Sequence, residues 1–118
     1  MSAVDSLGLA RLAVAAAADK KAEDIVLLDL RLLSSVTDYF IIATGGVGKQ
    51  LDAIGENIKD VLKRNDRALH SKVHGSSDSG WVLMDFGDMV IHLFTPGRRT
   101  FYDLEGLWSK APVLLRMQ

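Results

Sequence analysis

A glycine-rich stretch, TGGVGKQ at 44–50, is the first candidate for chemistry, because it lies between a predicted strand and a predicted helix. Phosphate-binding loops occupy that position, where backbone N–H groups at a helix N-terminus face the anion. A P-loop requires Gly and then Ser or Thr where this chain has Ala43 and Gln50. The dinucleotide-binding pattern requires Gly or Ala where the chain has Leu51. The stretch therefore predicts a flexible helix start, with no small-molecule substrate and no nucleotide cofactor.

Two histidines, His70 and His74, have the spacing of metal ligands on one face of a helix. The surrounding pattern predicts a strand, on which residues four apart lie about 13 Å from each other, too far to share an ion. The chain contains no Cys, so no thiolate could complete such a site. We therefore predict no metal site, and the lack of Cys also excludes disulfides and thiol catalysis.

Asp85, Asp88 and His92 are candidates for an acid/base set on a predicted hairpin. Asp85 and His92 would be diagonal neighbours within hydrogen-bond reach. Asp88, however, falls in the turn, where Asp is favoured for backbone reasons alone. No Ser or Lys is placed beside the set to act as an activated nucleophile. The pattern therefore predicts a protein that is not an enzyme.

Basic side chains are concentrated in the C-terminal segment but not in the chain as a whole. The 14 Lys and Arg residues nearly balance 15 Asp and Glu residues, and a net charge of −1 is not the footprint of a free-standing nucleic-acid binder. A solvated surface is the simplest interpretation of the local cluster, and a minor contact with an RNA backbone is the alternative. The cluster consists of Arg98, Arg99, Lys110 and Arg116.

The predicted element order is helix, two strands, helix, three strands, helix, within a single domain at 1–118. The last helix carries a capping-box spacing between Thr100 and Asp103, although it could start a turn earlier, and Pro112 sets its end near Lys110. The longest apolar run has seven residues, whereas a membrane span needs about 20, so we expect a cytoplasmic protein with no membrane contact. The strands are predicted at 25–30, 39–44, 69–73, 81–86 and 89–94, and the first two helices at 5–19 and from the glycines to about 65.

The two strongest strands are predicted to form a hairpin around Gly87 and Asp88. That turn would pair Met84 with Ile91 and Val82 with Leu93 on one wholly apolar face, which must be core. The other face is mixed, since aromatic and aliphatic groups surround a carboxylate and an imidazole. It is either a second, smaller core or a partly exposed docking surface of hot-spot composition. This mixed face, the candidate partner-binding site, consists of Trp81, Leu83, Asp85, Val90, His92 and Phe94.

Four blocks of sequence closely resemble the ribosomal silencing factor family, whose members are also called Iojap-like proteins. The resemblance covers nearly the whole chain, and the blocks occur in the family's order. They are DKKAEDI at 19–25, LSSVTDYFIIATG at 33–45, GWVLMDFGDMVIH at 80–92 and FYDLEGLW at 101–108.

The resemblance implies an α/β fold with a mixed five-stranded sheet flanked by helices, related to nucleotidyltransferases but without their catalytic residues. It also implies a translational repressor that binds the large ribosomal subunit through the fourteenth large-subunit ribosomal protein. Bound there, the family sterically blocks joining of the two subunits and lowers translation when nutrients are scarce. Family members are often homodimers when free. The family's contact surface includes the Trp-containing strand, which corresponds to Trp81, Leu83 and Asp85 here.

This chain departs from the family's pattern at two places. Relatives tend to have an Asn-Ser-Asp-like helix start where this chain has 46–48, GVG, so the preferred capping side chain is missing. Relatives are often acidic before the final helix, where this chain has PGRR at 96–99. Electrostatic contacts around that loop are therefore not carried over from the family.

Overall fold

The computed structural model describes residues 5–118, so residues 1–4 of the predicted domain lie outside it. The described chain forms six strands and four α-helices, with a short 3-10 turn before the fourth strand. In chain order these are α1 (Ser6–Asp19), β1 (Glu23–Asp29), β2 (Tyr39–Thr44), α2 (Gly48–Asn65), β3 (Lys72–Ser76), the 3-10 turn (Ser77–Ser79), β4 (Trp81–Asp85), β5 (Met89–Phe94), α3 (Pro96–Tyr102), α4 (Leu104–Leu107) and β6 (Val113–Met117).

All six strands join one mixed sheet in the order β3-β4-β5-β2-β1-β6. β2 and β5 are parallel, and the other neighbours are antiparallel. The predicted α/β fold is confirmed, and the first two strands pair antiparallel. No helix among residues 5–118 is long and apolar enough to cross a bilayer.

The larger core lies between one face of the sheet and the helices α1 and α2. α1 is rich in buried alanines, whose small side chains allow a neighbouring helix to approach closely. α2 buries one helical stripe of apolar residues, as its periodicity predicts. This stripe consists of Leu51, Ile54, Ile58 and Leu62.

A smaller core covers part of the opposite sheet face. Partly buried side chains from α4 and the residue after it, Leu104 and Trp108, pack against it. The presence of helices on both faces explains why the central strands β2 and β5 are almost continuously apolar. The buried members are Val26, Leu28, Leu30, Ile42, Phe94 and Ala111.

The expected five-stranded sheet is corrected to six strands. Helical structure ends at Leu107, before Pro112, and after that proline the chain runs back along the free edge of β1. The Pro112 carbonyl accepts a hydrogen bond of 2.9 Å from the Asp29 N–H, and β6 continues the pairing from there. A short apolar run after a proline gives little local signal for a strand. It becomes a strand because it pairs with the otherwise unpaired edge of β1.

The single final helix predicted to end near Lys110 is also wrong. Asp103 adopts a left-handed conformation with φ 44°, which divides the segment into α3 and α4. The Asp103 carboxylate accepts from the Gly106 N–H at 3.1 Å and so caps α4. The predicted capping box is absent, since the Thr100 hydroxyl donates to the Pro96 carbonyl. The helical segment starts a turn earlier, at Pro96, which occupies the favoured first helical position.

Strand β3 begins three residues later than the predicted 69–73. The Leu69 N–H donates to the Asp66 carbonyl. The residues that were expected to begin the strand therefore form a turn. At the far end β3 includes Gly75, whose φ of 77° suits glycine. A Cβ at Gly75 would collide with the Trp81 carbonyl of β4, so this edge strand depends on that glycine.

Candidate docking surface

The mixed face of the β4–β5 hairpin forms as predicted. Met84 pairs with Ile91 and Val82 with Leu93, which confirms the two-residue turn at Gly87 and Asp88. All six predicted site residues therefore share one face of the sheet. Their cross-strand pairs are Trp81 with Phe94, Leu83 with His92, and Asp85 with Val90.

The two strands of the mixed face differ in exposure. On β5 the side chains are buried, with relative exposures of 8% for Val90, 4% for His92 and 1% for Phe94. On β4, Trp81, Leu83 and Asp85 are only half-buried. The second-core interpretation therefore holds for β5, whose Phe94 belongs to the smaller core. β4 leaves apolar surface accessible, and a docking role for that surface stays a prediction.

Trp81 lies in an aromatic cluster that joins the buried and the accessible parts of the face. Its ring centroid lies 5.2 Å from that of Phe94 and 4.4 Å from that of Tyr102. On the buried side, the Phe40 ring packs edge-on against His92 at 4.6 Å. Offset and edge-to-face contacts of this kind stabilise beyond simple burial. The cluster therefore holds Trp81 in one orientation while part of the indole remains accessible.

His92 is the polar centre of this cluster. Its Nδ1 accepts a hydrogen bond of 3.2 Å from the Trp81 indole Nε1–H, which assigns Nδ1 as unprotonated. Its Nε2 is buried and has no partner among the described residues. Burial lowers the pKa of His92 to about 4, since a charged imidazolium would lose its hydration there. His92 is therefore a neutral acceptor at neutral pH.

The proposed acid/base set does not assemble. Asp85 accepts from the Gly87 N–H at 2.8 Å, so its carboxylate stabilises the hairpin turn and leaves His92 to Trp81. Asp88 lies in the turn and accepts from the Ser6 hydroxyl at 3.0 Å. Asp85 and His92, which the sequence places as diagonal neighbours, therefore make separate contacts, Asp85 with Gly87 and His92 with Trp81.

A cleft of about 270 Å³ opens beside Trp81 at the edge of the sheet. Tyr102 from α3 forms one wall and is 40% exposed, while the adjacent Phe101 is 72% exposed. The left-handed Asp103, which ends α3, follows directly after these two aromatic residues. The lining of the cleft consists of His74, Gly75, Ser79, Trp81, Leu83 and Tyr102.

The glycine-rich stretch serves packing and local hydrogen bonding. Val47 is the N-cap of α2 and makes no side-chain capping bond, in agreement with the missing capping residue. The Gln50 side chain compensates in part, because its Oε1 accepts from the Gly46 N–H at 2.7 Å. A Cβ at Gly48 would lie 2.9 Å from the Ser77 carbonyl oxygen, so close packing requires glycine there.

Among residues 5–118 no group of three metal-binding side chains converges, and His70 lies outside β3.

The basic C-terminal cluster is partly neutralised within the molecule. The Arg99 guanidinium pairs with Glu105 at 2.9 Å and donates to the Thr44 hydroxyl at 2.8 Å. Arg116 lies 3.9 Å from the same Glu105 carboxylate. Arg98 and Lys110 are exposed. The expectation of a uniformly solvated cluster is therefore wrong for Arg99, which fastens α3 to the sheet.

Comparisons with known proteins agree with this fold. The family profile described as "Ribosomal silencing factor during starvation" matches residues 3–117. The ribosomal silencing factor RsfS of Bacillus subtilis is 44% identical over 103 residues, which cover 87% of this chain and 86% of that protein. A crystal structure of a Chromobacterium violaceum protein has a TM-score of 0.83 at 33% identity, covering 89% of this chain and 87% of that chain.

A more distant relative has a longer chain. The Mus musculus protein named mitochondrial assembly of ribosomal large subunit protein 1 is 34% identical over 94 residues, which cover 76% of this chain and 40% of that protein. The profile match spans nearly the whole sequence, and the Bacillus subtilis protein aligns over most of both chains. The chain therefore belongs to the ribosomal silencing factor family.

Proposed function

We propose that this protein is a translational repressor of the cytoplasm that acts by occlusion. It binds the large ribosomal subunit through the fourteenth large-subunit ribosomal protein and sterically blocks joining of the small subunit, which lowers translation when nutrients are scarce. The observation that carries this proposal is the family match over residues 3–117. The name of the mouse relative supports the choice of the large subunit.

The proposed contact surface is the accessible part of the mixed face and its cleft. Trp81, Leu83 and Tyr102 present apolar surface around a cavity of about 270 Å³, which is room for an apolar side chain of the partner. Aromatic anchors of this kind dominate binding energies when the partner covers them and excludes water. The hydrogen bond to His92 fixes the indole beforehand, so little side-chain entropy is lost on binding. Buried Val90, His92 and Phe94 support the surface from below.

Occlusion requires binding and no turnover, and the site is consistent with that requirement. The Asp85 carboxylate is engaged in the hairpin turn, the Asp88 carboxylate accepts from Ser6 at the start of α1, and His92 is held neutral against Trp81. The rival function is a nucleotide-handling enzyme of related fold, for which the glycine-rich stretch at 44–50 is the only sequence argument. Calorimetric titration with ATP and GTP separates the two, because the repressor needs no cofactor and no small-molecule substrate.

The free protein is proposed to form a homodimer. The half-apolar mixed face would otherwise remain in contact with water, and exposed apolar patches commonly mark contact sites. If the same face binds the large subunit, dimer and ribosome complex exclude each other.

The decisive experiment is a subunit-joining assay with purified subunits and a controlled order of addition. Protein added to large subunits before small subunits should reduce the fraction of joined particles in a sucrose gradient. Protein added after joining should have much less effect, because the surface it needs is then covered. Equal inhibition in both orders, or inhibition only after preincubation with small subunits, would contradict occlusion on the large subunit.

A further inference from the structure

Positive charge is segregated within the chain to a degree that the net charge conceals. Residues 59–72 contain five Lys and Arg side chains against two carboxylates, a net charge of +3. Since the whole chain carries −1, the remaining residues carry −4. The segment covers the second half of α2 and the loop that leads into β3. We call its part on the α2 side of the sheet the α2 basic surface, which comprises Lys59, Lys63, Arg64, Arg67 and His70. Lys72 is not included, because it pairs with Asp85 of β4 and therefore lies on the opposite face, with Trp81.

The side chains of the α2 basic surface are free to bind an external anion. All five are exposed. The ion pairs formed within residues 5–118 lie elsewhere and involve Arg31, Arg99 and Arg116. A shallow groove is lined by Asn57, Asp60, Lys63, Arg64 and Arg67, so three cations face one carboxylate there. A smaller pocket that contains Lys59 and His70 shares Lys63 with this groove. The cations therefore form one continuous surface.

Helix electrostatics explain only part of this arrangement. Lys63 and Arg64 lie in the last turn of α2, where cations stabilise the helix dipole. Lys59 lies a turn earlier and Arg67 follows the helix, so that effect does not account for them. The four Lys and Arg side chains outnumber the neighbouring carboxylates of Asp60 and Asp66, and their mutual repulsion raises the electrostatic free energy of the folded chain, which a bound polyanion would relieve.

From these observations we propose that the α2 basic surface binds the phosphate backbone of RNA. The proposal rests on the function above for its source, which is the RNA of the ribosomal particle. Protein–nucleic acid interfaces are polar and strongly positive, as this surface is. A membrane surface would require an apolar helix face beside the cations, but α2 buries its apolar stripe in the core. The Trp81 face lies on the opposite side of the sheet, so a partner bound there leaves the α2 basic surface uncovered.

The test uses the full chain and a 20-base-pair RNA duplex in a fluorescence anisotropy titration at several salt concentrations. Each phosphate contact adds about 0.7 to 0.9 to the slope of log affinity against log salt. The triple variant Lys63→Gln, Arg64→Gln, Arg67→Gln should lower that slope by about 2 and weaken binding at least about tenfold at low salt. The matched control Arg11→Gln, Lys20→Gln, Lys49→Gln replaces three exposed cations outside both basic clusters, changes net charge equally and should bind within about twofold of the parent.

Three results would overturn the RNA assignment. The first is a folded parent that does not bind the duplex at low salt. The second is an equal loss of duplex affinity in both triple variants. The third is binding of polyglutamate as tightly as RNA, which would indicate an acidic protein as the partner. Parallel sedimentation with large subunits separates this inference from the proposed function. A parent that sediments with large subunits but does not bind the duplex contradicts the RNA inference and leaves the proposed function standing. A parent that binds the duplex but not large subunits supports the inference and contradicts the proposed function.

Discussion

The indole N–H of Trp81 donates a hydrogen bond of 3.2 Å to Nδ1 of His92, across the two strands of the hairpin. This contact joins the accessible half of the mixed face to its buried half. It requires a neutral imidazole, because protonation of Nδ1 would place two donors against each other. The orientation of the proposed docking residue therefore depends on the protonation state of a buried neighbour.

Stability should fall in mild acid because of His92. Its folded-state pKa of about 4 lies below the unfolded value of about 6.5, so the unfolded chain binds the additional proton. The stabilisation that neutral His92 gives the folded state is fully present above pH 6.5 and is lost as pH falls toward 4. The free energy of unfolding should therefore decrease by about 2 kcal/mol between pH 7 and pH 5. Urea unfolding at both pH values measures it. His92→Phe should show a pH dependence smaller by that amount, and an unchanged pH dependence would contradict this assignment.

Trp81→Ala should weaken both folding and binding. The indole contacts Phe94 and Tyr102 and donates to His92, yet it is only half-buried. We expect the free energy of unfolding to fall by about 2 to 3 kcal/mol, below the usual cost of removing a fully buried aromatic. Affinity for the large subunit should fall by about 2 kcal/mol or more, as for a truncated hot spot.

Trp81→Phe separates these two effects. It keeps an aromatic ring in the cluster but loses the hydrogen bond to His92, so it should recover most of the stability. Measurement of thermal unfolding and large-subunit affinity on both variants tests the assignment. A folded Trp81→Ala protein that binds with the parent's affinity would remove Trp81 from the contact surface.

Gly75→Ala should destabilise the sheet edge that forms the cleft. The substitution places a Cβ against the Trp81 carbonyl and forces alanine to a φ of 77°. The cost should be about 2 kcal/mol or more in unfolding free energy. Gly97→Ala is the matched control, because its Cβ meets nothing within 4 Å, and it should be neutral or slightly stabilising. Equal midpoints of chemical unfolding for the two variants would show that the edge tolerates the collision.

Self-association should depend on the mixed face. The parent should show a concentration-dependent mass by light scattering, approaching a dimer at high micromolar concentration. Leu83→Asp should remain monomeric, because it places a carboxylate in the apolar surface beside Trp81. Val36→Asp should behave as the parent does, since Val36 is 85% exposed and lies on the loop between β1 and β2. A parent that is monomeric throughout this range contradicts the homodimer.

The hairpin was the most predictable part of the site. The Gly87-Asp88 turn and the alternation on either side of it are local signals, and together they set the register in which Met84 meets Ile91. The identity of the mixed face therefore followed from the sequence. Its division into a buried and an accessible strand did not, because the cover comes from helices that follow Pro96.

Features that depend on distant parts of the chain escaped prediction. Tyr102 joins the cleft only because Asp103 breaks the final helix in a left-handed conformation, which side-chain periodicity does not indicate. The strand β6 exists because β1 offers an unpaired edge. The α2 basic surface was visible within a charge run at 59–72, but a net charge of −1 obscured it.

Co-sedimentation with separated ribosomal subunits tests the central claim most directly. The parent should sediment with large subunits and remain at the top of gradients that contain small subunits or translating ribosomes. Leu83→Asp should lose binding to large subunits at least about tenfold, as expected when a carboxylate is placed without a partner in an apolar contact. Val36→Asp should retain it. Equal sedimentation of the parent with both subunits, or a folded Leu83→Asp protein that still sediments with large subunits as the parent does, would contradict the account.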